Sequence, residues 1–108
     1  MELVELTELV AKHWPFDESN YPRMQGLSEG DRKEFALRHI LMHQQKAVAK
    51  LTEVIEPLDH GAAPDEGKLR QATRNFLINT LRLAAVAGIS AEELAASVQN
   101  WLSETHVP

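Results

Sequence analysis

Cysteine is absent from the chain, so disulfides, iron–sulfur clusters, thiolate zinc sites and thiol nucleophiles are all excluded. No apolar run approaches the ~20 residues a membrane helix needs. The acidic start Met1-Glu2-Leu3-Val4-Glu5 is unlike a signal peptide. The expected compartment is the cytoplasm, with no membrane partner. Positive charge is in deficit. Eleven Lys and Arg stand against 16 Asp and Glu, and a net charge of −5 argues against nucleic acid as a main partner. No stretch alternates with period two, so no strand is expected, and neither internal repeats nor low-complexity segments occur. The 108 residues are 44% hydrophobic and 25% charged, which suits a single ordered domain. A chain of that length can bury roughly two-thirds of its extended surface.

The apolar residues fall at helical spacing. Leu3, Leu6 and Val10, with Val4 and Leu9 beside them, predict an amphipathic helix over 2–13 within an N-terminal segment 1–14. Residues 15–27 hold Phe16, Tyr21 and Pro22 among polar residues and follow Trp14, which reads as an ordered loop. Ser28 with Asp31 opens a long helix that Pro57 is expected to stop. Along it, Leu37, Leu41, Gln44, Val48, Leu51, Ile55 and Leu58 form a 4-3-4-3 seam, widened by Ala36, Ile40, Ala47 and Val54. After the breaker-rich turn 57–64, Asp65 caps a third helix to Ala87. Gly88 ends it with Ile89 placed for a Schellman contact, and Ser90 with Glu93 opens a fourth helix to about Ser103. The predicted fold is all-α: about four helices built on a long antiparallel helical hairpin, with residues 28–104 as the core. Helix 28–56 would be about 43 Å long, against a diameter of about 34 Å for a compact globule of this size. Part of its seam stays wet in a monomer, which predicts a dimer or tetramer.

Charge on the two long helices is uneven. Between Glu34 and Glu53 the only formal charges are Arg38, Lys46 and Lys50. Between Glu66 and Glu92 they are Lys68, Arg70, Arg74 and Arg82. Solvated faces usually explain such runs, but Arg70 and Arg74 at i,i+4 share a face and can grip phosphate or carboxylate. His39 and His43 have the spacing of two imidazoles on one metal. No third ligand accompanies them, and His13, His60 and His106 are remote in sequence, so packing histidines are expected. Gln44 with Asn75 and Asn79 suggests a buried amide cluster, either setting register or lining a ligand pocket. Ser28 and Ser90 read as caps, which leaves no nucleophilic triad, and Trp14 and Trp101 read as core or interface anchors.

The stretch Asn75 to Leu102, NFLINTLRLAAVAGISAEELAASVQNWL, following a long helix and a breaker-rich turn, resembles the MazG-like all-α nucleoside triphosphate pyrophosphatases. The likeness covers residues 35–104 and is clearest at Leu81-Arg82-Leu83-Ala84, Gly88-Ile89-Ser90 and Glu92-Glu93-Leu94. Members of that family use magnesium held by a Glu-Glu-x-x-Glu run and a Glu-x-x-Asp run. Aligned on Gly88, the second run falls on Ala72 and Asn75, and the first on Gln44, Gln45 and Val48. Amides and aliphatics do not replace carboxylates around a hard cation. The resemblance therefore implies the fold and an oligomer without the family's catalysis. The leading expectation is a self-associating module that binds a nucleotide or other anion through Arg70, Arg74, Lys46, Lys50, Gln44 and Asn75, with no catalytic residue, no metal ligand and no cofactor. Two alternatives stand beside it. One is an active magnesium-dependent pyrophosphohydrolase with ligands relocated to the turn acids Glu53, Glu56, Asp59, Asp65 and Glu66. The other is a purely structural adaptor.

Overall fold

The computed structural model describes residues 1–105, so His106 lies outside the described residues. Four helices follow one another: α1 (Leu3–His13), α2 (Glu29–Asp59), α3 (Glu66–Val86) and α4 (Ala91–Thr105), with a short 3-10 turn at Pro22–Met24. Among the described residues there is no strand, and no helix is long and apolar enough to cross a membrane.

Local chemistry sets the helix ends. Ser28 Oγ accepts from the Asp31 amide, Asp65 Oδ1 from the Lys68 amide and Ser90 Oγ from the Glu93 amide, each at 3.1 Å. At the end of α3, Gly88 takes φ +75°. The Ile89 amide then reaches Ala84 O at 2.8 Å and the Gly88 amide reaches Ala85 O at 3.2 Å, the two bonds of a Schellman motif. Pro57 does not stop α2, which continues to Asp59 with the proline inside its last turn. The missing proline N–H costs a single bond there. The Pro57 carbonyl still accepts from His60 and Ala62, so the helix closes two residues later.

α2 packs mainly on α3, and α1 packs on α3 with a smaller contact to α4. Gln44 of α2 meets Phe76 and Thr80 of α3, while Glu53, nine residues on, meets Lys68. The buried face of α2 is Ala36, Ile40, Ala47 and Val54, and α3 buries Ala72, Asn79, Leu81, Arg82 and Ala84. Of the expected seam, this is the part the single chain buries. Leu41, Val48 and Ile55 are 58%, 52% and 47% exposed. Each follows a core residue (Ile40, Ala47, Val54) by one position, roughly 100° around the helix. Ala36, Ala47 and Ala72 are all buried, and small side chains permit a close approach of helices. α4 buries Ala91 and leaves Val98, Trp101 and Leu102 exposed. The radius of gyration is 17.0 Å with extents of 51 × 40 × 25 Å, well beyond the ~13 Å of a compact chain of this length.

Candidate functional site

The segment between α1 and α2, expected as an ordered loop, builds one wall of a cleft. Asp17 organises it. Its Oδ1 accepts from the Asn20 amide at 2.9 Å and its carbonyl from the Tyr21 amide at 2.8 Å. An ion pair between Glu18 and Arg32 ties the segment to α2, and the Arg32 hydrogen bond holds the Glu18 carboxyl below its ordinary range. Met24, from the 3-10 turn, is buried. With its ends held, the segment stacks Phe16 on Tyr21 at 5.2 Å and sets Tyr21 edge-on to His39 at 4.7 Å. Phe35 stacks on the same imidazole at 6.0 Å.

Into this aromatic cluster α3 sends Arg82, only 6% exposed. Its Nη2 donates to the Tyr21 hydroxyl at 3.1 Å and to Trp14 O at 3.4 Å, and its guanidinium lies 4.4 Å from the Phe16 ring centroid. A buried arginine normally faces a carboxylate. Among the described residues none lies within ion-pair distance of Arg82, and its Nε has no hydrogen-bond partner. Beside it opens a cavity of about 220 Å³, walled by Tyr21, His43, Lys46, Asn75, Asn79 and Arg82, with Trp14 and Ile78 as its apolar part.

His39 and His43 meet at 3.0 Å between their Nε2 atoms. One ring donates and the other accepts, so at least one is neutral while that bond holds. Burial pushes both imidazoles below the ordinary histidine range. For His39 the next causes are Arg82 and Lys46, and for His43 they are His39, Lys46 and Arg82. An unfolded histidine takes up its proton near pH 6.5, before the folded rings do, so acidification favours the unfolded chain. The melting temperature is expected to fall as pH drops from 7.5 to 5.5, and His43→Gln should flatten that slope in a thermal melt series. A slope equal to wild type in the variant would assign the effect to other groups.

The six residues expected to bind an anion do not converge. Lys46 and Asn75 line the cleft. Gln44 turns to Phe76 O and Thr80 Oγ1, both at 3.3 Å, with its Oε1 buried and unpartnered. Lys50 stands 3.9 Å from Glu53. Arg70 and Arg74 lie exposed on α3 beside Leu69 and Thr73, and Arg74 also borders a hollow against α1. The amide cluster is not formed either, because Asn79 Nδ2 donates to Asn75 O instead. Arg82, Tyr21 and His43 line the cleft but are not among the residues the sequence assigns to anion binding. Arg82 left a trace there, since it sits three positions after the buried Asn79 and seven after Asn75 on one helix face.

Other chemistries find less support. Among the described residues no three His, Cys, Asp or Glu are grouped so as to hold a metal ion. Of the turn acids, Glu53 faces Lys50 and Lys68, and Asp65 caps α3. Gly26-Leu27-Ser28-Glu29-Gly30 spells the Gly-x-Ser-x-Gly of a nucleophile elbow. That motif needs a strand before its serine, whereas Ser28 follows a 3-10 turn and spends its hydroxyl on the α2 cap. Comparisons with protein-family models, curated proteins and solved structures found no match.

Proposed function

We propose that the chain is a MazG-like helical module without catalysis that acts by self-association, as a dimer or tetramer, and carries a place for a nucleotide or other anion. α2 and α3 are read as an antiparallel hairpin forming one half of a larger bundle, and a cytoplasmic location belongs to the same proposal. The observation that carries self-association is the exposed row Leu41, Val48 and Ile55. Seven-residue spacing keeps such a row on one side of a helix, and Leu83 adds an exposed apolar side chain on α3. A second copy presenting the same row would bury it isologously, as two-fold dimers do. The extended shape supports this, since a radius of gyration of 17.0 Å leaves more surface uncovered than a compact chain of this length would.

The test is sedimentation at micromolar protein. A mass of two or four times 12.1 kDa is expected; a stable monomer would remove self-association. Nucleoside triphosphates with magnesium should release no pyrophosphate. Turnover that needs magnesium and is lost on Asp65→Asn or Glu66→Gln would install the enzyme reading instead. Assembly with neither anion binding nor turnover would leave an adaptor.

A further inference from the structure

We propose that the cleft between α2, α3 and residues 14–21 binds a phosphoryl dianion directly, with Arg82 as its principal cation and no metal between them. This inference rests on the anion-binding part of the reading above and is independent of self-association.

Three observations combine. The first is charge without a counter-charge. Lys46 and Arg82 line one cavity, His43 stands in its wall and His39 lies behind His43, and no carboxylate is among the charges acting on either imidazole. Desolvating a guanidinium is costly unless an anion compensates it. The second is unused hydrogen-bonding capacity. Arg82 has five N–H donors, and among the described residues the protein engages those of Nη2 alone. Tyr21 Oη accepts from Arg82, which leaves its own proton to donate. Asn75, in the same wall, adds a side-chain amide. The third is size. About 220 Å³ is below the ~300–1,000 Å³ of sites that enclose a drug-sized molecule. It suits one phosphoryl group, with any organic part projecting to solvent.

Phosphoryl is favoured over a simple carboxylate by charge and shape. A phosphate monoester at neutral pH carries close to two charges on three oxygens, which matches one guanidinium, one ammonium and neighbouring neutral donors. Occupation would also favour the charged imidazole of His43, so phosphate and protons are taken up together. The groups around that imidazole are His39 and Lys46 from its own helix, Arg82 from α3 and the Tyr21 phenol from the segment before α2, with no carboxylate among them.

The experiment is a titration of the full chain with inorganic phosphate and with adenosine 5′-monophosphate, read by calorimetry and by the NMR signals of His39 and His43. Both probes are expected to bind with and without magnesium, more weakly as salt rises. Either probe should move both imidazole titrations upward. Tighter binding of the monophosphate would identify a phosphate monoester, and equal binding free phosphate. Lys46→Ala, at an exposed position, should weaken both probes about tenfold, and Arg82→Gln should abolish binding. Arg82→Lys, which keeps the charge and loses the fork, should retain a weak remainder if the fold holds by circular dichroism. Lys33→Ala, on a distant turn of α2, controls for net charge. Loss on Arg74→Ala with Lys46→Ala unaffected would move the anion to the α3 surface, overturning this site while keeping the anion reading. Binding of malonate but not phosphate would overturn the phosphoryl assignment, and a magnesium requirement would overturn direct pairing. If no probe binds, the anion reading falls with it.

Discussion

Leu81→Ala and Ile40→Ala should each destabilise the chain by about 2–5 kcal/mol, the range for emptying a large aliphatic site that cannot fully collapse. Both side chains are 1% exposed. The core they belong to is thin. Among the described residues its fully buried apolar members larger than alanine are Val10, Met24, Ile40, Val54 and Leu81, while Ala36, Ala47, Ala72, Ala84 and Ala91 supply the rest. Total stability for a domain is typically ~5–15 kcal/mol, so either substitution removes a large share of it. The melting temperature should drop by roughly 10–30 °C. Leu77→Ala, at a half-exposed position of α3, should cost under ~1 kcal/mol and is the matched control. Urea unfolding monitored by circular dichroism separates the two classes. If Leu81→Ala lost no more than Leu77→Ala, the stabilising apolar contacts would have to come from association rather than from the single-chain core.

The second large effect concerns assembly. The double variant Val48→Lys, Ile55→Lys should convert the proposed oligomer to monomer. Central interface side chains commonly contribute ~2 kcal/mol or more each, and two such losses correspond to roughly a 10³-fold weaker dissociation constant. Both positions are about half exposed within the chain, so the helical circular dichroism spectrum should be unchanged while the sedimenting mass falls. An unchanged mass would clear α2 of the interface and turn attention to Leu102 and Val98 on α4.

Helix number and most helix ends are legible in the sequence because they depend on neighbours. Ser28 with Asp31, Asp65 with Lys68, and Gly88 with Ile89 all act within five residues. The buried side of α2 is not legible in the same way. Ile40, Ala47 and Val54 repeat with the same heptad as Leu41, Val48 and Ile55, so period alone does not choose between the rows. The choice is made by the packing of α2 on α3, which no local spacing encodes. The cleft was half visible. Lys46 and Asn75 were found as a charge and an amide on long helices, but the Arg82 contacts to Tyr21 and Trp14 span 61 and 68 residues. Nothing local in Trp14, Phe16 or Tyr21 announces a partner that far along the chain.

Those same long separations bear on the order in which the molecule assembles. α2 and α3 are joined across six residues, so their pairing closes a short loop and costs little chain entropy. Arg82 reaches the aromatic segment only after a loop about ten times longer has closed, and contacts of that span form late when folding follows topology. The helix pair and the shorter-range ties of Glu18 to Arg32 and Tyr21 to His39 therefore precede the Arg82 contacts to Trp14 and Tyr21. Backbone amides there should exchange with solvent well before those of Ile40, Ala47 and Leu81, since the final piece to dock is commonly the first to open. The proposed binding cleft would then form and dissolve as a unit while the two long helices stay folded.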